Sequence, residues 1–474
     1  MHKSIFRNLL ILVLMICSAC QKDEQNFTYE KLNEVSITTT ATSFVLTQLD
    51  SLKINPQITE TIPSEEGLSY EWIVYLQGAD DKASLLSVDK NLKSKINLAP
   101  GNYSIRYKVT SKKTGVSSFQ LYGLIVNGAF YQGWMVSNNK DGQAKLSFIR
   151  TDDVLFLSPA ENINNKTYPG KVIASYSAID RNIALTLLFT DQGIYRFNAN
   201  DFIENGTASS IFSERKAVVS TAAYGLNKGA YDQYIVMDGG LYGGIGPAFY
   251  PAQVLTPFSE RFTGDYSLFP AIISSSSNST YFYDNKNKRF MQSEFFGRSI
   301  WPAAATSESQ HSFNMADVGM TMIACDYGVQ SVFFDDELYF VMQNNAGARY
   351  LYSLEGDLPG INQFINNSPD INIANAFATS SVTKQLYYSA GNKIYLYDIT
   401  ANLSRLIYSF PADVLIKDIK MLRSTSKRIV VAVNKGAVGE VFYFDLSNVG
   451  DFVGNTYVKK FEGFGEIVQL SYRK

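Results

Sequence analysis

Histidine is almost absent from this chain of 474 residues, and its scarcity excludes several kinds of site. The two histidines are His2 and His311. A catalytic zinc centre that uses several histidines cannot be assembled from them. A Ser-His-Asp triad would depend on His311 alone, and this residue lies in the polar stretch SESQHSFN, which is typical of a loop. We therefore expect no metal, no cofactor and no catalytic residue.

Cysteine is also scarce. Cys17 and Cys20 lie at the end of an N-terminal apolar run, so Cys325 stands alone in the remaining chain. An isolated cysteine cannot form an intramolecular disulfide. Because Cys325 lies in the apolar run MTMIACDYG, we interpret it as a small buried apolar residue.

Charge is low, since charged residues make up 18% of the chain and the formal net charge is −2. The sequence has no basic patch of the kind that binds nucleic acid phosphates. Hydrophobic residues reach 46% and aromatic residues 14%. This composition supplies large cores and favours β-structure.

The N-terminus has a basic start, with Lys3 and Arg7, followed by an apolar run over residues 8–19. The run is too short for a spanning helix, which needs about 20 residues. It fits the apolar core of a signal peptide over residues 1–19 better than a buried helix.

The residues after this run resemble the signal of a bacterial lipoprotein. CSAC places small residues before Cys20, the position that is lipidated in that family. Lys22, Asp23 and Glu24 then resemble the export signal of Bacteroidota lipoproteins, within a linker over residues 20–34. The resemblance implies a lipid-anchored protein on the outer membrane, facing the cell exterior. An ordinary charged linker is the alternative.

Residues 35–126 are predicted to form a β-sandwich of short strands. In YSIRYKVT, alternation places Tyr103, Ile105, Tyr107 and Val109 on one face. LSYEWIVY and LAPGNYSIRYKVTSKKTG resemble the PKD-like, immunoglobulin-type domains of surface lipoproteins. The resemblance implies that Trp72 packs in the core and that this domain is a stiff spacer.

Residues 127–474 contain a repeated hairpin in which an apolar strand, a polar turn and an aromatic strand follow one another. Seven such hairpins begin near Tyr131, Ala184, Gln233, Thr280, Glu337, Gln385 and Arg428. From the second onward, each has a strand of small or apolar residues upstream, and the chain ends in a similar strand, EIVQLSY. This pattern predicts a seven-bladed β-propeller in which the C-terminal strand completes the first blade. Six or eight blades, or stacked β-sandwiches, are the alternatives.

Three stretches resemble functional motifs without matching them. The glycine-rich DGGLYGGIGPAFYPAQ has no lysine at phosphate-loop spacing and is interpreted as a loop between strands. DNKNKR lacks the glycine and glutamate of an EF-hand and is interpreted as a hairpin turn. The acids at 152–153 and 335–337 would serve a glycosidase only if two faced each other across a sugar.

Aromatic residues in loops are the remaining candidates for ligand binding, because they offer stacking faces for sugars and apolar slots for peptides. Packing within the loops is the alternative for each. The candidates are Tyr242, Phe249, Tyr250, Phe295, Phe296 and Trp301.

The whole chain is similar to the PKD-like lipoproteins of Bacteroidota that accompany SusCD-like uptake systems. The resemblance implies a non-catalytic surface protein that assists a SusC-like TonB-dependent transporter and its SusD-like lipoprotein. It favours oligopeptide cargo over glycan. Two alternatives remain open: a purely structural docking partner of the transporter, and a glycan-active hydrolase or lyase.

Overall fold

The computed structural model describes most of the chain after residue 32, and the described residues are almost entirely β-strands. They fall into two compact units, with the break between Val126 and Asn127. The expected all-β class is confirmed. Cys20, Lys22, Asp23 and Glu24 lie outside the described residues. The described ranges are 33–48, 50–63, 65, 67–78, 83–180, 183–213, 220–229, 232–246, 257–274, 279–294, 298–330 and 336–473.

The first unit has one large sheet and two small ones among its described residues. The large sheet has the order β2-β9-β8-β5-β6, and β1 pairs with β4 and β3 with β7. The strands are β1 (Val35–Thr38), β2 (Ser43–Thr47), β3 (Ser51–Ile54), β4 (Gln57–Glu60), β5 (Leu68–Leu76), β6 (Ser84–Ser87), β7 (Leu92–Lys95), β8 (Gly101–Ser111) and β9 (Ser117–Asn127).

Strand β8 carries the core of the first unit on one face. The four alternating residues from Tyr103 to Val109 are all buried, as the period of two predicts. Trp72 on β5 is fully buried and stacks on Tyr107 with a centroid distance of 3.9 Å. Its indole Nε1–H donates to the carbonyl oxygen of Asp89 at 2.9 Å. The expected core position of Trp72 is confirmed.

The described part of the second unit contains seven antiparallel sheets, which we number in chain order from the first hairpin. Sheet 1 has the order β12-β11-β10-β36, with β13 beside β11, and sheets 2 to 7 each follow chain order. Every predicted hairpin is present. Sheet 1 contains β10 (Gly133–Lys140), β11 (Gln143–Arg150), β12 (Leu155–Phe156) and β13 (Tyr168–Pro169). Sheet 2 contains β14 (Val172–Asp180), β15 (Ile183–Thr190), β16 (Gly193–Asn198) and β17 (Glu204–Thr207). Sheet 3 contains β18 (Ala222–Leu226), β19 (Asp232–Met237) and β20 (Gly240–Ile245).

The remaining strands complete sheets 4 to 7 and then return to sheet 1. Sheet 4 has β21 (Ser279–Asp284), β22 (Arg289–Glu294) and β23 (Trp301–Pro302), and sheet 5 has β24 (Thr321–Tyr327), β25 (Glu337–Gln343), β26 (Arg349–Glu355) and β27 (Leu358–Phe364). Sheet 6 has β28 (Ala376–Thr379), β29 (Gln385–Ala390), β30 (Lys393–Asp398) and β31 (Leu403–Ser409), and sheet 7 has β32 (Leu415–Met421), β33 (Arg428–Lys435), β34 (Val438–Asp445) and β35 (Lys459–Phe464). The C-terminal strand is β36 (Glu466–Arg473).

Helical segments are short in the described residues. They are α1 (Pro159–Asn164), α2 (Ala208–Ile211) and the 3₁₀ segments Ile371–Ile373 and Val453–Asn455. None of the helices in the described ranges is long and apolar enough to cross a membrane.

Two hairpins turn through an Asp-Gly pair, which explains their tight connections. Asp141 and Gly142 have φ of 56° and 74°, and Asp238 and Gly239 have φ of 50° and 73°. Two successive positive φ angles define the type I′ turn, whose twist matches that of antiparallel strands. The chain therefore reverses in two residues at each position.

The innermost segments of the seven numbered sheets are joined in a cycle. They are β36, β14, β18, residues 271–274, β24, β28 and β32, and residues 271–274 join sheet 4 through the bridge between Ile273 and Tyr281. At least one hydrogen bond links each segment, or a residue beside it, to the next segment. From sheet 1 to sheet 4 these are Ser175 N to Gln469 Oε1, Tyr176 Oη to the Ala222 carbonyl, and Lys228 N to Ser274 Oγ. From sheet 4 back to sheet 1 they are Tyr327 Oη to the Ser274 carbonyl, Thr379 N to Asp326 Oδ2, Asn375 Nδ2 to the Ile416 carbonyl, and Leu470 N to Asp418 Oδ2. The second unit is therefore propeller-like, with its sheets arranged around an axis.

The C-terminal strand pairs with the first hairpin, as its sequence pattern predicts. β36 runs antiparallel to β10, with Trp134 opposite Tyr472. Gly465 precedes the strand, and its amide donates to Asn138 Oδ1 at 3.0 Å. A Cβ at this position would collide with the carbonyl oxygen of Asn139, so glycine is required for the strand to approach β10.

Arg473 fixes the end of this strand inside the protein and is 2% exposed. Its guanidinium donates to the carbonyl oxygens of Phe130 and Ala199 and to the hydroxyls of Ser177 and Thr186. The rings of Phe148 and Phe202 lie 5.2 and 4.8 Å from it. The partners that the structure describes include no carboxylate, and burial lowers the pKa of Arg473 to about 9. The group remains protonated at neutral pH and joins sheets 1 and 2.

Candidate ligand site on the axis of the second unit

Five polar side chains on the innermost strands form a group that we call the axial cluster. Tyr176 lies on β14, Asp326 on β24, Asp418 and Lys420 on β32, and Gln469 on β36. These strands belong to sheets 2, 5, 7 and 1. Polar and charged residues are unusual in strands that are otherwise small or apolar.

Members of the axial cluster from sheets that are not neighbours interact with one another. The carboxylate of Asp326 in sheet 5 acts on the ammonium of Lys420 in sheet 7, and Lys420 acts in turn on Tyr176 in sheet 2. Sheet 6 separates sheets 5 and 7, and sheet 1 separates sheets 7 and 2. Groups so placed come within electrostatic reach of one another only where the innermost strands face one another, so the cluster lies about the axis.

Asp418 and Lys420 form the centre of the cluster. The Lys420 Nζ lies 3.0 Å from Asp418 Oδ1, and the Leu470 amide donates to Asp418 Oδ2 at 2.8 Å. The side chain of Asp418 is 11% exposed, whereas that of Lys420 is 39% exposed. The carboxylate is therefore fixed in the wall of the axis, and the ammonium reaches into the solvent-accessible space.

Asp326 is fixed by donors from the protein. Its Oδ2 accepts from the amide and the hydroxyl of Thr379 at 2.9 and 3.0 Å, and its Oδ1 accepts from the Tyr327 amide at 2.9 Å. These bonds join sheets 5 and 6. The carboxylate supplies negative charge to the axis while both of its oxygens are held in place.

Gln469 and Tyr176 form a short polar chain beside Lys420. The Gln469 Oε1 accepts from the Ser175 amide at 2.8 Å, which turns the amide nitrogen of Gln469 toward the phenol oxygen of Tyr176. The Tyr176 hydroxyl donates to the Ala222 carbonyl at 3.2 Å. The orientation of each group is thus set by the next, and burial raises the pKa of Tyr176.

The electrostatics keep the ammonium charged. Burial by itself lowers the pKa of Lys420, but the carboxylates of Asp418 and Asp326 outweigh it and hold this pKa above its usual range. A protonated lysine cannot act as a base or as a nucleophile. It is a hydrogen-bond donor with a full positive charge, so the cluster is arranged for binding.

Arg423 makes a further connection between sheets of the second unit. It follows β32, and its guanidinium donates to the carbonyl oxygens of Tyr327 and Gly328 at the end of β24. Its Cζ lies 5.7 Å from the centre of the Tyr327 ring. Burial, with nearby Cys325 and Asp336, raises the pKa of Tyr327 to about 12. Arg423 therefore spans sheet 6 and holds sheets 5 and 7 together.

Irregular pairing in the innermost strands helps to position the cluster. The register of β14 shifts between Val172 and Ala174, that of β24 between Met322 and Ala324, and that of β32 between Ile416 and Asp418. An extra residue in one strand redirects the side chains that follow it. Asp418 comes directly after such a shift.

The structure places two of the six aromatic residues predicted as ligand contacts. Tyr242 is buried on β20, where its ring meets that of Phe212 edge-on at 5.5 Å. Trp301 is partly exposed on β23 and lies opposite Gln292 of β22. Phe249, Tyr250, Phe295 and Phe296 lie outside the described residues. Tyr242 is thus a core residue, and neither placed residue belongs to the axial cluster.

The motif-like stretches take structural positions. In the glycine-rich stretch, residues 240–245 form strand β20, so the loop interpretation is wrong for these residues. Gly243 packs on the ring of Phe262, where a side chain would clash. The turn interpretation of DNKNKR is confirmed, because Asp284 and Arg289 pair across residues 285–288. Asp284 is fully buried and accepts from the Ser267 amide at 2.9 Å.

The acids considered for hydrolysis form ion pairs where they are described. The Arg150 guanidinium contacts Asp152 at 2.6 Å, and this hydrogen bond holds the pKa of Asp152 below its usual range. Lys384 lies 3.2 Å from Glu337. Asp335 lies outside the described residues.

Cys325 is half-buried rather than fully buried, and burial with nearby Asp326 raises the pKa of its thiol.

The sequence interpretation missed the axial cluster, although a signal for it was present. The innermost strands were identified by their small and apolar residues. Asp418 and Lys420 in DIKMLRS, Asp326 in IACDYG and Gln469 in EIVQLSY interrupt that pattern. A charge in a strand that faces an axis requires a partner or a ligand. The charged exceptions, rather than the loop aromatics, mark the site.

Groups of acids, histidines and cysteines do not form a metal site in the described ranges. No set of three or more such side chains there is placed to hold an ion. The axial cluster itself has two carboxylates with an ammonium beside them. Positive charge at that position is already supplied by Lys420.

Comparison with known proteins supports the PKD-like part of the resemblance. The model of the PKD-like family matches residues 20–173, which include the described part of the first unit and extend through strands β10 to β13 to the start of β14. No curated protein sequence matches the chain.

Several solved structures are similar at low identity. A quinoprotein alcohol dehydrogenase-like protein from Bacteroides thetaiotaomicron is 13% identical, covers 92% of this chain and 97% of its own, and has a TM-score of 0.47. A protein of unknown function from Desulfotomaculum acetoxidans is 11% identical, with coverage of 72% and 98% and a TM-score of 0.46. The dihydro-heme d1 dehydrogenase NirN, in complex with DHE, is 11% identical, with coverage of 85% and 74% and a TM-score of 0.44. We draw no conclusion about activity from similarities this weak.

Proposed function

We propose that this protein is a non-catalytic surface lipoprotein that captures cargo for a SusCD-like uptake system of the outer membrane. In this proposal the second unit is a seven-bladed propeller and carries the cargo site. The first unit is a PKD-like spacer, and Cys20 carries the lipid anchor. Oligopeptides are the preferred cargo, and glycans are second.

The axial cluster is the observation that carries the proposal. It gathers an exposed ammonium, two fixed carboxylates, a phenol and an amide from four sheets. A few convergent polar and charged groups of this kind are typical of a small-ligand site. A protein that served only as a docking surface would not need charged groups on its axis.

The chemistry of the same groups favours binding over catalysis. The ammonium of Lys420 stays protonated beside Asp418. The carboxylates of Asp418 and Asp326 accept from backbone amides, and Asp152 and Glu337 are held by Arg150 and Lys384. A general acid needs a raised pKa and access to the leaving group. The partners that hold these four carboxylates support a binding role.

The transporter association and the surface location are inferred from the lipoprotein and export residues and from the PKD-like match. They are tested by purifying the lipidated protein from solubilised outer membranes and identifying co-purifying proteins and small molecules by mass spectrometry. Recovery of a TonB-dependent transporter with bound peptides supports the proposal. Recovery of the transporter without any small molecule would favour the purely structural role, and recovery of the protein alone would contradict a stable complex.

A further inference from the structure

We infer that the axial cluster binds a single carboxylate group, with the ammonium of Lys420 as its direct contact. This inference rests on the proposed function, because it names the chemical group of the cargo that the axis recognises. A carboxylate of this kind ends every unmodified peptide and also occurs in acidic sugars.

The carboxylates of the cluster have partners within the protein. Asp418 accepts from the Leu470 amide and faces Lys420, and Asp326 accepts from Thr379 and Tyr327. Both are held in the wall of the axis rather than directed into it. Of the roughly four acceptor positions of a carboxylate, the described bonds use two on Asp418 and three on Asp326, so a ligand that offered only donors would find few acceptors.

Lys420 has donors to spare. An ammonium has three N–H donors, and the described ion pair of Lys420 is the one to Asp418 at 3.0 Å. Its side chain is 39% exposed, with polar groups of sheets 2, 5 and 7 in electrostatic reach. The accessible group of the cluster is therefore a charged donor, which pairs best with a charged acceptor.

The polar neighbours complete the contact surface. The Gln469 amide nitrogen faces the space beside Tyr176, because its oxygen is held by the Ser175 amide. One N–H of this amide is directed to the Tyr176 oxygen, and its other N–H remains as a second donor of the cluster. The enclosed setting strengthens these contacts relative to bulk water.

The charge of the cluster limits the ligand to one negative charge. Asp418 and Asp326 both lie within electrostatic reach of Lys420. Two carboxylates and one ammonium give the cluster a formal charge of −1, so each negative charge on a ligand is opposed, and a phosphate dianion is opposed about twice as strongly as a carboxylate. A carboxylate brings one charge and two acceptor oxygens, which matches one ammonium with an adjacent amide.

The test uses the full-length chain in detergent and four defined probes. They are a mixed tripeptide library that lacks aspartate and glutamate and has free carboxyl ends, the same library with amidated ends, the same library with acetylated amino ends, and the monocarboxylate sugar galacturonate. Equilibrium dialysis with mass spectrometry measures the bound fraction. We expect at least tenfold tighter binding of the free-carboxyl and acetylated libraries than of the amidated library. Tight binding of galacturonate instead of peptides would keep the carboxylate and assign it to an acidic sugar.

The matched variants are Lys420→Met and Lys435→Met. Lys435 forms an exposed ion pair with Asp413 at 2.7 Å on the neighbouring strand β33, so its removal changes charge equally without touching the axis. We expect Lys420→Met to weaken binding at least tenfold and Lys435→Met to leave it unchanged, with both variants folded by thermal unfolding.

The outcomes separate the inference from the proposed function. Equal binding of amidated and free peptides, or unchanged binding by Lys420→Met, would overturn the carboxylate inference while leaving cargo capture supported. The absence of binding for all four probes would overturn both the inference and the capture of peptide or acidic-sugar cargo.

Discussion

Two cations of the second unit, Arg473 and Lys420, are placed in opposite ways. Arg473 is 2% exposed and is held by carbonyls, hydroxyls and aromatic rings. Lys420 is 39% exposed and lies beside the carboxylates of Asp418 and Asp326. Both terminal nitrogens of Arg473 donate to the protein, and a buried cation held in this way stabilises the fold, whereas a partly exposed cation with donors remaining can recognise a ligand. The number of uncommitted donors distinguishes the two roles better than charge does.

Replacement of Arg473 tests the structural half of the comparison and has the largest expected effect. Arg473→Met removes the donors to the Phe130 and Ala199 carbonyls, and each buried group left without a partner costs about 1–3 kcal/mol. Ser177 and Thr186 can still bond to each other at 2.9 Å. We expect the free energy of unfolding, measured with urea, to fall by about 2–5 kcal/mol. A change under about 1 kcal/mol would contradict the structural role.

Asp418 lies between the two extremes, because it serves both the fold and the axis. Asp418→Ala leaves the buried Leu470 amide without its acceptor, so we expect a loss of about 1–3 kcal/mol in urea unfolding. Asp418→Asn keeps an acceptor oxygen and is the matched control, with a smaller loss. Equal losses for the two variants would show that the ion pair to Lys420, rather than the amide contact, accounts for the effect.

Glu161 is a buried acid and contrasts with Arg473, which is a buried cation. Glu161 of α1 is 7% exposed, and Lys145 of β11 lies 3.5 Å away, with Tyr168 of β13 nearby. Burial raises the pKa of Glu161 above its usual range, although Lys145 opposes the shift. Below the pKa of the unfolded chain both states are protonated and no penalty exists. As the pH rises through the folded-state pKa, the charged form must be accommodated and stability is lost.

Glu161→Gln should remove this penalty. We expect the variant to unfold at a higher urea concentration than the wild type at pH 7 and at the same concentration at pH 4. Lys145→Met is the control, because it removes the compensating charge and should lower stability at pH 7. A Glu161→Gln variant that is less stable at pH 7 would mean that the ion pair outweighs burial.

The sequence predicts the fold well where a pattern repeats. The alternation from Tyr103 to Val109, the core position of Trp72 and the seven hairpins all follow from local periodicity, and local periodicity is a property of neighbouring residues. The return of β36 to β10 also follows, because a C-terminal strand with the pattern of the innermost strands has one sheet left to join.

The axial cluster could not be predicted in the same way. It joins Tyr176, Asp326, Lys420 and Gln469 across hundreds of residues, and it depends on pairing shifts such as that before Asp418. Single-residue shifts of register decide which side of a strand a residue faces. The loop aromatics attracted attention because of their composition, yet Tyr242 packs in the core. Charged residues in otherwise apolar strands were the better signal.

Lys420 provides the smallest expected change in stability and sharpens the comparison most. Its ion pair with Asp418 is partly exposed, and exposed pairs contribute about 0–1 kcal/mol. We therefore expect Lys420→Met to unfold in urea within about 1 kcal/mol of the wild type, although it should lose carboxylate binding. The same measurement on Arg473→Met gives the contrast directly. If Lys420→Met destabilised the protein as much as Arg473→Met, the ammonium would be a structural group, and the axis would have no cation left for a ligand.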